Sequence, residues 1–372
     1  MSTSPQQEEI DRRFMAAALR LSRRNQGRTS TNPSVGTLIV RNDGLGPMIV
    51  GTGVTAIGGR PHAEAEALAE AGDLARGATA YVTLEPCAHH GRTPPCAKAL
   101  VASGVARVVG AASDPDPRVA GQGYAILRKA GIEVTEGVLA AEAANQLAGY
   151  LMRSLKRRPE VTLKMALSSD GKIGASGQGQ VAITGDAARR EVHLMRAEAD
   201  GILIGIGTAL EDDPELTVRL PGLENRSPVR IVLDSDMRLP LTSRLVSGVK
   251  NVPLYVAASL EADCIRRAAL EREGVRLIGT DVHDGRIALP ELLEDLASLG
   301  MSSLMVEGGA AVARSFLEEG LVDRIVLFLG TVEVGAQGVP APLDASRMPP
   351  GFQKTRQMRF DQDDYVEWVK AG

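Results

Sequence analysis

"PHAEAEALAE" (61–70) and "TLEPCAHHGRTPPCAKAL" (83–100) hold three of the chain's five histidines and two of its three cysteines. Each group stands at the head of a helix-like run. Pro61 and the pair Pro94-Pro95 suit first helical turns, and "HAEAEALAEAG" stops at Gly72. A catalytic zinc takes three protein ligands and keeps one position for water. His62, Cys87 and Cys96 supply three. Glu64, two residues past His62, points to a different side of the helix, so the two converge only on a metal beyond the helix's first turn. Cys96 has the same setting at the next helix, and two helix N-termini facing one point favour thiolate over thiol. Cys87 follows the strand "YVTLEP", where a turn can present its sulfur. Strand ends and helix starts can therefore meet around one metal, as they do where helices cover a sheet.

Outward from this centre, strand and helix alternate. Ile10, Phe14, Ala17 and Leu21 share one helical face. "SVGTLIV" and "MIVGTGV" read as a hairpin joined by "RNDGLGP". "ATAYVTLEP", "ARVVGAAS" and "IEVTEGV" read as strands, and "PPCAKALVASG" and "GQGYAILRKAG" as helices. "AAEAANQLAGYLMRSLKRRP" reads as one helix that turns basic and stops at Pro159, and the domain boundary is expected at 149/150. A second alternating series follows: "VTLKMALS", "ARREVHLMRAEA", "GILIGIG", "VRIVLD", "VPLYVAAS", "GVRLIG", "LPELLEDLASLG", "SLMVEGG", "AVARSFLEEG" and "DRIVLFLG". "FQKTRQMRF" and "YVEWV" close the chain as antiparallel strands. The halves share no visible repeat.

At 372 residues the chain exceeds what one core usually covers, and two domains are expected. It is 44% apolar but only 3% aromatic, so its core should be aliphatic and tightly layered. The formal charge is −4, and no long Lys/Arg run offers the basic face that phosphate backbones demand. A nucleic-acid partner is disfavoured. A small anionic substrate needs only one or two local cations. Three cysteines in so long a chain argue against a disulfide framework and fit a reducing cytoplasm. The polar start "MSTSPQQEEIDRRF" is no secretory signal, and no apolar run is long enough for a membrane span.

Zinc deaminases carry H-x-E followed by P-C-x-x-C, with the Glu as proton shuttle rather than ligand. Here eight residues, "AHHGRTPP", separate the cysteines. Two other readings stay open on the residues alone. A closed zinc site with His89 or His90 as fourth ligand would only staple the fold. The cysteines could also be small core residues, as Cys264 is read to be. Glu64 favours chemistry, because zinc lowers the pKa of bound water and an adjacent carboxylate can move the proton.

"TNPSVG", "HAE", "PCAHHGRTPPC" and "DPDPRVAGQG" resemble the deaminase half of the RibD family, bifunctional proteins of riboflavin biosynthesis. "LKMALSSDGKI", "LMRAEADGILIGIGTALEDDPELTVR", "RIVLDS" and "VEGGA" are similar to its reductase half. The resemblance implies an α/β protein: an N-terminal cytidine-deaminase-like α/β/α sandwich (1–149) and a C-terminal dihydrofolate-reductase-like α/β domain (150–372). It implies zinc-dependent deamination of 2,5-diamino-6-(5-phosphoribosylamino)pyrimidin-4(3H)-one. NADPH reduction of 5-amino-6-(5-phosphoribosylamino)uracil to the ribityl product would follow. On this resemblance Glu64 is catalytic, and His62, Cys87 and Cys96 hold zinc. Asn32, Lys164, Gln180, Arg196, Leu216, Arg219 and Glu307 contact substrate. Ala166, Ala182, Thr208, Asp212, Ser235, Gly308 and Gly309 contact NADPH. A dimer paired through the second domain is the favoured assembly.

Two departures stand out. The family usually has a Trp before the "IT" of its substrate loop, where this chain has Ala182. "FLGTVEVGAQGVPAPLD" replaces a usual Pro-Lys-Leu-Leu-Gly pattern. They keep a rival alive, a deaminase with an inactive reductase-like scaffold. A zinc-stapled binding module would be indifferent to Glu64→Gln. An RNA-editing protein would need a basic, aromatic-lined surface, which this composition does not offer.

Overall fold

The computed structural model describes residues 4–44, 46–89, 94–116, 120–175, 177, 179, 181–344 and 346–371. It divides into two units, Met1–Arg157 and Arg158–Gly372. The division falls one helix later than the 149/150 expected from sequence. The basic end of the run 140–159, which a 149/150 boundary places in the second half, stays with the first unit.

The first unit is a five-stranded sheet in the order β2-β1-β3-β4-β5. Its strands are β1 (Gly36–Asn42), β2 (Pro47–Val54), β3 (Thr79–Leu84), β4 (Arg107–Ala112) and β5 (Glu133–Thr135). β1 is antiparallel to both β2 and β3, and β3, β4 and β5 run parallel. Its helices are α1 (Pro5–Ser22), α2 (Ala63–Ala71), α3 (Cys96–Ser103), α4 (Gln122–Lys129), α5 (Ala140–Gln146) and α6 (Ala148–Lys156). The single helix expected after β5 is thus two, meeting at Leu147. Ser4 caps α1 by accepting from the Gln7 N–H, with Pro5 in the first turn. Its Phe14, Met15 and Ala18 then bury against β1 and β3.

Alanine-rich α2 lies very close to the hairpin. A Cβ on Gly53 would stand 2.0 Å from the Ala63 carbonyl oxygen, and one on Gly51 would stand 2.2 Å from that of Ala67. The glycines of "MIVGTGV" therefore admit the helix that carries His62 and Glu64 at its head. One buried polar cluster ties α1 to the sheet. Arg107 donates to both Asp11 carboxylate oxygens at 2.8 Å, and the Tyr81 hydroxyl donates to the same carboxylate at 2.9 Å.

The second unit is a nine-stranded sheet, ordered β11-β10-β9-β8-β14-β6-β15-β18-β17. Its parallel strands are β6 (Glu160–Leu167), β8 (Gly201–Gly205), β9 (Val229–Leu233), β10 (Leu254–Ser259), β11 (Arg276–Thr280), β14 (Ser303–Val306) and β15 (Arg324–Leu329). The expected closing pair, β17 (Phe352–Phe360) and β18 (Asp363–Lys370), is antiparallel. The short strands β7 (Lys172–Ala175) and β16 (Gly338–Pro340) pair with each other, as do β12 (Val282–His283) and β13 (Arg286–Ile287). The helices are α7 (Asp186–Glu198), α8 (Ile206–Asp212), α9 (Arg244–Ser247), α10 (Cys264–Arg272), α11 (Leu289–Ser298) and α12 (Ala310–Glu318).

Helices α8, α9 and α10 have no counterpart among the elements read from sequence; α8 follows β8 directly, with no residue between Gly205 and Ile206 to mark the change. β8 is buried on both faces: Leu203 joins one core cluster, Ile202 and Ile204 another. That two-sided burial is why its sequence does not alternate. β6 does alternate. Val161, Leu163, Met165 and Leu167 point into the core, leaving Lys164 and Ala166 on the other face. In open α/β sheets ligands bind beyond the carboxyl ends of parallel strands, where strand order switches. Ser168, Gly205, Ser235 and Glu307 all lie at such ends.

Candidate functional site

His62 is the residue before α2 and Cys96 the first of α3, so two helix starts face each other. Cys87 follows β3, and its sulfur accepts the Cys96 backbone N–H at 3.2 Å. The three donor atoms lie within 4.8 Å of one another. His62 Nδ1 stands 3.8 Å from Cys87 Sγ and 3.4 Å from Cys96 Sγ. A tetrahedral zinc with Zn–S of roughly 2.3 Å and Zn–N of roughly 2.05 Å separates such atoms by ~3.6 Å. The two distances bracket that edge, so this donor set fits the metal. Among the described residues no other His, Cys, Asp or Glu joins the cluster. His90, one of the two fourth ligands considered from sequence, lies outside them.

Glu64 occupies the second position of α2 and is 4% exposed. Burial first, and then the neighbouring Cys87 thiolate, raise its pKa to about 7 against the pull of His62. A carboxyl poised there can both take and return a proton. Cys87 is held down to about 4, mainly by the hydrogen bond from Cys96, while Cys96 is pushed up beside that thiolate and by its burial.

A cavity of about 520 Å³ opens over this centre. Asn32 lines it, its amide donating to the Gly59 carbonyl at 3.0 Å. Glu85 braces the far wall by accepting from the N–H groups of Gly121 (3.1 Å) and Gly123 (3.0 Å). Tyr150, Arg153 and Ser154 also line the cavity. They come from α6, which sequence reasoning passed to the other half. The Tyr150 hydroxyl donates to Asp114, and Arg153 donates to the Thr31 carbonyl. No spacing signal marks these residues, because their place at the rim depends on the break at Leu147.

In the second unit, three expected residues come together. Arg196 donates to both oxygens of Glu307 at 2.8 and 2.9 Å, and Lys164 Nζ lies 3.8 Å from that carboxylate and 5.7 Å from the centre of the Phe328 ring. Burial alone would raise the Glu307 pKa, but Arg196 and Lys164 overcome it and hold it at about 2. Burial also lowers the Lys164 pKa, against the attraction of Glu307.

Arg219 stands apart from this trio. It is exposed and pairs with Glu215 at 3.4 Å. Leu216 is buried with φ of 54°, left-handed for a residue with a Cβ. Thr208 Oγ1 accepts the Gly309 N–H at 3.0 Å, joining α8 to the glycine pair. A Cβ on Gly308 would fall 2.8 Å from Val312, and one on Gly205 2.6 Å from the same side chain. The turn before α12 is therefore bare backbone, a surface that suits a dinucleotide's anionic linkage. Asp212 is half-buried, its pKa raised by burial. The Ser235 carbonyl accepts the Ser259 N–H at 3.2 Å. Ala166 sits opposite Phe328 in the sheet. Ala182 is exposed and offers no aromatic surface, and Gln180 lies outside the described residues.

Known proteins match this chain along most of its length. Residues 8–112 match the cytidine and deoxycytidylate deaminase zinc-binding region, and residues 159–364 match the RibD C-terminal domain. The riboflavin biosynthesis protein RibD of Escherichia coli is 41% identical over 338 residues, which is 88% of this chain and 89% of that one. The protein of the same name from Aquifex aeolicus is 40% identical over 327 residues, 88% of each chain. A solved structure of Acinetobacter baumannii RibD superposes with a TM-score of 0.84 at 35% identity, covering 98% of this chain and 100% of that one. A Thermotoga maritima structure does so at 0.84 and 33%, with the same coverage. It is described as a diaminohydroxyphosphoribosylaminopyrimidine deaminase/5-amino-6-(5-phosphoribosylamino)uracil reductase. With both halves present in order and matched at these lengths, the chain belongs to the RibD family, the bifunctional deaminase–reductases of riboflavin biosynthesis, whose first half works with zinc and whose second works with NADPH.

Proposed function

We propose that the first unit deaminates 2,5-diamino-6-(5-phosphoribosylamino)pyrimidin-4(3H)-one. The second then reduces the resulting 5-amino-6-(5-phosphoribosylamino)uracil to its ribityl form. The observation that carries this reading is the set of His62, Cys87 and Cys96, whose donor atoms lie within 4.8 Å of one another, with buried Glu64 alongside. Zinc bound there supplies Lewis-acid activation of water. His62, Cys87 and Cys96 hold it. The Glu64 carboxylate accepts a proton from the attacking water and returns it to the departing ammonia. Asn32 orients the pyrimidine from the cavity wall.

In the second unit Lys164, Arg196 and Arg219 receive the anionic, hydroxyl-bearing part of the substrate; Leu216 and Gln180, the latter outside the described residues, complete the proposed contacts. Glu307 holds Lys164 and Arg196 in place. NADPH supplies the hydride equivalent. Ala166, Ala182, Thr208, Asp212, Ser235, Gly308 and Gly309 line its path. The deaminase activity is assigned to Met1–Arg157 and the reductase activity to Arg158–Gly372, which moves α6 from the expected second half to the first.

A dimer through the reductase unit is supported by β17, whose largely exposed strand ends the sheet. A cytoplasmic location is supported by cysteines that form no disulfide among the described residues; Cys264, read from sequence as a small core residue, is instead exposed. Assay of the purified protein on each substrate tests the main reading. Ammonia release should depend on zinc, and NADPH oxidation should require the deaminated intermediate. Zinc-dependent deamination with no NADPH turnover would leave the second unit a scaffold.

A further inference from the structure

The segment from Asp213 to Arg219 runs a strained course. Asp213 and Leu216 have φ of 37° and 54°, a region that residues with a Cβ leave unless their surroundings over-determine it. Leu216 is 4% exposed, so its side chain anchors in the core. From one side, the Arg244 N–H donates to the Asp213 carboxylate at 2.8 Å and the Val218 N–H to Ser227 Oγ at 3.0 Å.

From the other side the segment is gripped by one face of α7. Arg196 donates through Nη1 to the Thr217 carbonyl at 3.2 Å. The Arg219 backbone N–H donates to Nδ1 of His193 at 3.3 Å. His193 and Arg196, three positions apart, share that face. An imidazole that accepts at Nδ1 carries no proton there. Its surroundings keep it so. Burial, then Arg196 and Arg219, lower its pKa to about 4, against the attraction of Glu307.

We propose that His193 is a positioning residue of the reductase site. Its neutral Nδ1 holds the Asp213–Arg219 segment in its strained path, so that the Arg219 guanidinium stands where the anionic part of the substrate binds. The inference rests on the reading of Arg219 as a substrate contact. In this assignment His193 acts through Arg219, by the hydrogen bond it accepts from the Arg219 N–H.

The test compares His193→Leu, His193→Asn, Arg219→Gln and the double variant H193L/R219Q in the full chain, by steady-state NADPH oxidation with the deaminated phosphoribosylamino substrate. Loss of one neutral hydrogen bond corresponds to a change on the order of tenfold. His193→Leu should raise KM by about that factor with kcat little changed. The Asn amide oxygen can stand where Nδ1 does, so His193→Asn should bring KM back toward the original value. In the Arg219→Gln background, His193→Leu should add nothing. Ammonia release by the first unit should be the same in all four. An unchanged KM in His193→Leu, an Asn variant as poor as Leu, or multiplying effects in the double variant would each overturn the inference while leaving Arg219's role standing. If Arg219→Gln itself leaves KM unchanged, the reading of Arg219 is wrong and the positioning role falls with it.

Discussion

Glu64 shows how much one short spacing can carry. H-x-E places a carboxyl two positions after a ligand, and the start of α2 turns both toward one point. Burial then raises its proton affinity into the range where it can act in both directions. On the proposed reading Glu64 is a proton carrier and not a ligand, so Glu64→Gln should keep one zinc per chain by metal analysis and lower deamination by about 10²–10⁴-fold. NADPH oxidation should not change. Zinc loss on this substitution would make Glu64 a ligand and refute the assignment. Glu64 was legible in the sequence because its partner is two positions away. His193 was not, because the N–H it receives belongs to Arg219 on another segment and only the fold brings the two together.

At the scale of elements, the contact between α2 and β2 sets the metal centre. Gly53 is there because the carbonyl of Ala63, the residue after His62, occupies the space a Cβ would need. Gly53→Ala should push the first turn of α2 off the sheet, at a cost of about 1–3 kcal/mol. The checks are a lower Tm and a weaker hold on zinc in a chelator competition. Unchanged values of both would mean that the hairpin yields instead of the helix. "MIVGTGV" read correctly as a strand, but the reason for its glycines lies in the helix that crosses it. The same limit explains the helix at 140–159. Its composition reads as continuous, yet the chain breaks it at Leu147 and brings Tyr150 and Arg153 to the cavity rim.

At the scale of the whole molecule, the two units solve different problems. The first gathers soft donors at helix starts. The second gathers charges at strand ends, and that choice should appear in its response to acid. Glu307 ordinarily titrates near 4.5 and is held at about 2 in the folded chain. Its folded pKa is depressed, so its contribution is full above pH 4.5 and fades as pH falls through 2. For a buried group the difference is worth on the order of 3 kcal/mol, less the cost of burying Lys164. Glu307→Gln also leaves Arg196 and Lys164 without their carboxylate. Urea unfolding of the original and variant chains should differ most at pH 7 and converge as pH falls from about 4.5 toward 2. A constant difference across that range would show that this ion cluster does not stabilise the unit through its charge.

The sequence by itself determined the alternation of strand and helix, the two-part organisation, the His62, Cys87 and Cys96 cluster with Glu64 close in sequence, and the family. All of these are written in local order: periods of burial, caps, and spacings of a few residues. Only the tertiary structure decided that α6 belongs to the first unit, that Arg196 and Lys164 converge on Glu307, and that α7 holds the strained segment before Arg219. Those contacts join residues far apart in the chain. The steric fit and desolvation that select them arise only once the layers have closed.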